Sequence, residues 1–88
     1  MKYFVYILEC SDATLYTGIT TDIKRRVQEH NSSDKGAKYT KIRRPVKLVY
    51  FCECDDRSSA AKKEYAIKQL PRKKKLELLE DIDDTIQT

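Results

Sequence analysis

The stretch LYTGITTDIKRRVQEHN, residues 15–31, reads as a short strand, a glycine turn and a helix. Leu15 to Ile19 carry a strand pattern, and Thr21 or Asp22 can cap the helix, whose first amides need a side-chain oxygen. With Ile23 at 0° and about 100° per residue, Val27 lies near 40°, His30 near 340°, Arg26 near 300° and Arg25 near 200°. Arg26 and the chain's single histidine therefore border the apolar stripe, while Arg25 faces water. An arginine snorkelling over the core and a boundary histidine with satisfied nitrogens would explain this structurally. A polar site shared with other elements would explain it as well.

Upstream, residues 2–9 are rich in Tyr, Phe, Val, Ile and Leu and predict a strand. Ser11-Asp12-Ala13 is turn chemistry, so the first twenty residues predict a β-hairpin. Tyr6 and Tyr16 share a sheet face only if paired positions sum to an even number, which a three-residue loop from Ser11 to Ala13 provides. Gly18 marks either a bulge or a place where a ligand approaches closely.

Downstream, residues 32–45 are polar and basic and predict a long loop with one helical turn; loops of this length in small domains are commonly functional. Val46 to Cys54 predicts a third strand, apolar enough for the centre of the sheet. A helix follows to about Leu70, with Asp56, Ser58 and Ser59 all able to cap it. On that helix, with Ala60 at 0° and roughly 100° per residue, Ile67 lies near 340° and Glu64 near 40°, inside the apolar arc. A glutamate there needs a partner, either a basic side chain such as Arg26 or a lysine, or a metal. Pro71 suits the first turn of a last helix, expected to end near Glu80, with 81–88 a frayed acidic tail. The expectation is one domain over residues 1–80.

The 88 residues limit the chain to one modest core. At 36% charged and 40% apolar, with no apolar run near the roughly 20 residues of a membrane span, membrane partners are excluded and a cytoplasmic location is expected. MKYFVYILEC is read as a strand rather than a signal peptide, since Glu9 and Cys10 close its apolar run early. Three cysteines (Cys10, Cys52, Cys54) disfavour a disulfide framework. Cys52-Glu53-Cys54 lacks the spacing of a structural zinc site, so buried thiols are expected in place of a Cys10–His30 metal site. The net charge is +4, with basic clusters at 24–26, 35–44 and 72–75 and acid gathered toward 77–84. That distribution suggests a polyanion partner or a solvated surface.

Taken in order, Phe4-Val5-Tyr6, Tyr16-Thr17-Gly18, Arg26 ten residues after Tyr16, His30 and Glu64 in KEYAIK resemble the GIY-YIG nuclease family. The resemblance covers about residues 2–70, and GAKYT, RRP and LVY bring it nearest to the short stand-alone bacterial members. Phe4 and Thr17 depart from the family's glycine and isoleucine, and Ile19 stands where some repair members carry lysine. The resemblance implies an α/β domain with a small, mainly antiparallel central sheet of about three strands flanked by helices. It also implies metal-dependent hydrolysis of DNA phosphodiester bonds. Glu64 would bind Mg²⁺ or Mn²⁺, with no small-molecule cofactor. Arg26 would hold the phosphate, and Tyr6 would act as general base with Tyr16 or His30 assisting. Gly18, Arg25, Lys38, Lys41, Arg43 and Arg44 are the expected nucleic-acid contacts. A DNA-binding module with the same fold and little cleavage is the alternative, and a module for other partners a more distant one.

Overall fold

Strand β1 (Tyr3–Glu9) is the middle of a three-stranded antiparallel sheet, between β2 (Leu15–Thr20) and β3 (Lys47–Cys54). The computed structural model describes residues 2–87, with side chains described through residue 79. Helices α1 (Ile23–Ser32) and α2 (Lys38–Lys41) follow β2, and α3 (Arg57–Gln69) and α4 (Arg72–Gln87) follow β3. Among the described residues, no helix is long and apolar enough to cross a membrane.

The central position corrects the expectation for β3. Val5, Tyr6, Ile7 and Leu8 are all 1% exposed or less, as a strand covered on both faces requires. The end of β3 instead alternates, with Phe51 and Glu53 exposed and Cys52 and Cys54 half-buried, the pattern of an edge strand with one face covered. Its pairing with β1 shifts between Ile7 and Leu8, so Val49 has no residue opposite.

Hairpin pairing puts Tyr6 opposite Gly18 and Leu8 opposite Tyr16. Beyond the strand ends, the Cys10 amide donates to the Thr14 carbonyl at 2.9 Å, leaving Ser11, Asp12 and Ala13 as the loop. Ala13 takes φ 68°, the left-handed residue that closes a three-residue hairpin loop. Asp12 secures the turn by accepting from both the amide and the hydroxyl of Thr14. Both tyrosines thereby face the same way.

Alternation along β1 divides the core. Val5 and Ile7 pack with Tyr50, and with Ala60 and Ile67 of α3, while Leu78 and Leu79 of α4 close that side. Tyr6 and Leu8 face the opposite side with Cys10 and Val46, against Val27 of α1. Helix α1 is capped by Asp22, whose carboxylate accepts from the Arg25 amide at 3.0 Å, and α3 by Asp56, accepting from Ser59 at 2.8 Å. Both caps fill orphan amides of a first turn.

Two helix ends differ from expectation. Helix α1 continues to Ser32, and α4 passes Glu80 to Gln87, because no proline or glycine interrupts residues 72–87. The expected frayed tail therefore falls largely on α4, and Thr88 lies outside the described residues.

Candidate active site

The tyrosine-bearing face of the sheet carries Tyr6, Tyr16, Arg26 and His30 of the polar groups that the sequence singled out. The Tyr6 ring extends across the hairpin toward Gly18, where an added Cβ would fall on its hydroxyl and lie 2.6 Å from Cζ. The room beside Gly18, expected to serve nucleic acid, is filled by this phenol. From there the Tyr6 hydroxyl is 2.8 Å from His30 Nε2, and His30 Nδ1 is 2.8 Å from Thr40 Oγ1. The Thr40 hydroxyl donates to the Ala37 carbonyl at 2.9 Å. His30 and Thr40 are both 0% exposed, so His30 lies deeper than the stripe border that its helical phase indicated. Tyr16 contacts the His30 ring edge-on, with centroids 5.3 Å apart, and is itself half-buried.

Burial sets the ionisation of this cluster. It pushes the Tyr6 phenol up to about 12, although the Arg26 guanidinium beside it pulls the other way. It holds His30 down at about 4, with the nearby Arg26 charge acting in the same direction, so the ring is neutral at neutral pH. The unfolded chain's histidine, near 6.5, then takes up a proton before the folded chain does. The contribution of His30 is therefore fully present above about pH 6.5 and is lost as pH falls toward 4, by roughly 3 kcal/mol at 1.36 kcal/mol per pH unit. Urea melts from pH 7 to 4 should show a steeper loss for wild type than for His30→Gln; parallel slopes would contradict a buried neutral histidine.

Arg26 occupies the rim. Its Nη1 donates to Glu29 at 3.0 Å and to the Lys35 carbonyl at 2.8 Å, and its side chain keeps 25% exposure. Burial works against its charge, but Glu29 and Tyr6 outweigh that and raise its pKa. The hydrogen bond from Arg26 in turn holds the Glu29 carboxyl below its ordinary value. Arg25 is 57% exposed and meets Glu29 only at 3.9 Å, which agrees with the helical phase.

Glu64 comes from the other side. Helix α3 covers the Val5–Ile7 face, so Glu64 does not share the tyrosine face of the sheet. It is 24% exposed rather than fully buried, and its ion-pair partner is Lys68, at 3.4 Å. Its charge reaches the Tyr6 hydroxyl, which lies over Gly18 of edge strand β2, only as the weakest of the influences on that phenol. An edge strand is where groups from both faces of a sheet can meet. Among the described residues no three His, Cys, Asp or Glu side chains gather as a metal site, so Glu64 would be a single carboxylate ligand.

The basic loop serves mainly to hold α1. Arg44 donates to the carbonyls of His30, Glu29 and Ser33, satisfying the last turn of α1 where a cation also complements the helix dipole. Gly36 lets the loop approach; a Cβ there would lie 2.9 Å from both the Glu29 carbonyl and His30 Cα. Asn31 clips α1 to the start of β3 by exchanging two hydrogen bonds with the Val46 backbone. Arg43 donates to Asp12 and the Tyr39 carbonyl, and its guanidinium lies 3.9 Å over the Tyr39 ring, which also stacks on Tyr16. Of the four basic residues expected from residues 38–44 to bind nucleic acid, Lys38 and Lys41 remain exposed, and Arg43 and Arg44 are held internally.

Thr40, Tyr39 and Asn31 were not singled out from sequence. The segment around Thr40 and Tyr39 has no periodicity, so the fixed GAKYT string was the available signal. Burial raises the thiols of Cys10 and Cys54 above the ordinary cysteine range. Both ring nitrogens of His30 are engaged by Tyr6 and Thr40, so Cys10 and His30 form no metal site.

Comparison with known proteins extends these observations. Residues 2–77 match the GIY-YIG catalytic domain. A UPF0213 protein of Desulfotalea psychrophila is 64% identical over 77 residues, covering 88% of this chain and 70% of that one. Another, from Syntrophus aciditrophicus, is 58% identical over 78 residues, covering 89% and 90%. The solution NMR structure of a UPF0213 protein from Bacillus halodurans aligns with a TM-score of 0.62 at 44% identity, covering 94% of this chain and 87% of that one. The chain thus belongs to the GIY-YIG catalytic-domain family, a nuclease superfamily, and its relatives are UPF0213 proteins.

Proposed function

We propose that the domain hydrolyses DNA phosphodiester bonds with a divalent metal ion, Mg²⁺ or Mn²⁺. The observation that carries this reading is the grouping, on one face of the sheet at the β2 edge, of Arg26, the Tyr6–His30 pair and Tyr16. The residues fit such an ion. Glu64 is a half-buried carboxylate that, among the described residues, is paired with a lysine one helical turn away, and Mg²⁺ commonly takes one or two carboxylates and fills its other positions with water and substrate phosphate. When bound, the ion would polarise the phosphodiester and stabilise the leaving oxygen.

The chain's own groups divide the remaining work. Arg26 keeps guanidinium nitrogens beyond Nη1 for a phosphate oxygen, matching the fork geometry that suits phosphate. Tyr6, the base expected from the resemblance, is 1% exposed with its hydroxyl on His30. Tyr16 is the more exposed tyrosine, and we assign it the contact with attacking water, with Tyr6 and His30 behind it. Lys38 and Lys41 would follow the DNA backbone without reading sequence.

The test is to incubate pure protein with plasmid, single-stranded and branched DNA in Mg²⁺, Mn²⁺ or chelator. Cleavage that requires the metal is expected; binding without cutting under any metal would favour a DNA-binding module instead. In the same assay Arg25→Ala should keep cleavage within about twofold while lowering the salt slope of binding by roughly one, the signature of a single lost phosphate contact. A loss of cutting as large as that of Arg26→Ala would contradict the separate roles of the two arginines.

A further inference from the structure

The Thr40 hydroxyl has a further consequence for this site. The Tyr6 oxygen is 2.8 Å from His30 Nε2, and the other polar group acting on it most strongly is the Arg26 guanidinium. Arg26 can donate and never accept, so the phenolic proton points to Nε2, which must be bare. A neutral ring with a bare Nε2 carries its proton on Nδ1, and the acceptor 2.8 Å away is Thr40 Oγ1. Thr40 is free to accept there because its own proton goes to the Ala37 carbonyl. Each side-chain donor then has one acceptor, and no described buried side-chain nitrogen or oxygen is left without a partner; the Ala37 amide, 3.5 Å from Nδ1, stands at the outer limit of a hydrogen bond and gives way to the 2.8 Å contact of Nδ1 with Thr40. With the ring reversed, Nε2 and Arg26 would both donate to Tyr6, and the phenolic proton would have no acceptor among these groups.

We propose that Thr40 is a positioning residue for the cleavage reaction. By fixing His30 in its Nδ1–H tautomer it makes Tyr6 donate to Nε2 and turns the Tyr6 lone pairs toward the Arg26 guanidinium. The catalytic half of this proposal rests on the nuclease reading; the tautomer half does not. Thr40 acts only through His30 and Tyr6, from a position that is fully buried.

The chain's single histidine makes the test direct. Long-range ¹H–¹⁵N spectra of the tag-free protein report which ring nitrogen is protonated. Wild type should show a pyrrole-type Nδ1 and a pyridine-type Nε2. Thr40→Val, which removes the acceptor, should shift or mix the tautomers and lower kcat by roughly tenfold or more with KM little changed, as expected for lost positioning. Thr40→Ser keeps the hydroxyl and should restore both readouts. A wild-type ring protonated at Nε2 overturns the proposal even if the valine variant does not fold. An unchanged tautomer in Thr40→Val, or an altered tautomer with unaltered kcat, overturns it as well. A wild type that shows the expected tautomer yet cuts nothing removes the nuclease reading and with it the catalytic role of Thr40, while the hydrogen-bond order stands.

Discussion

Gly18→Ala is expected to destabilise the domain by about 3 kcal/mol or more, adding strain from an overfilled core to the loss of a buried hydrogen bond. The new methyl would overlap the Tyr6 hydroxyl and sit 2.6 Å from Cζ, so the ring must leave its seat. Moving it breaks the 2.8 Å contact with His30 and leaves a fully buried imidazole nitrogen without its donor. In a domain of this size, with 4–8 °C per kcal/mol, the melting temperature should fall by roughly 12–24 °C. A double-mutant cycle isolates the cause. In a Tyr6→Leu background the overlap with the phenol is absent, and Gly18→Ala should cost well under about 1 kcal/mol, because the atoms a Cβ would meet are gone. An equal cost in both backgrounds would show that glycine is needed at position 18 for another reason.

Position 18 also shows how far sequence alone reached. A glycine in a strand pattern signals close approach, but whether by a ligand or by the protein's own tyrosine depends on hairpin register. The register itself followed from Ser11-Asp12-Ala13, because loop length fixes pairing parity. Helical phase separated Arg26 from Arg25 correctly. It understated the burial of His30, since the loop that covers the far side of that ring comes from residues without periodicity. Phase likewise set Glu64 among apolar residues, yet a single helix cannot tell which face of the sheet it covers. The strand at the sheet centre was misassigned because Val5–Leu8 and Leu48–Cys52 are both apolar runs, and only pairing reveals which has neighbours on both sides.

Glu64→Gln provides the most direct measurement of the central proposal, that this site cuts DNA with a metal held by Glu64. Glutamine keeps the shape and removes the charge. Losing several kcal/mol of transition-state stabilisation should lower metal-dependent cleavage by at least about 100-fold. DNA affinity should hold or rise slightly, since a negative charge near the phosphates is gone. Stability should change by only about 0.5 kcal/mol, the contribution of a partly exposed i,i+4 helical pair such as Glu64–Lys68. Cleavage, DNA binding and thermal melting are measured on the same two proteins. The expected result is a variant that melts and binds like wild type and no longer cuts; a variant that melts like wild type and cuts like wild type would contradict the assignment.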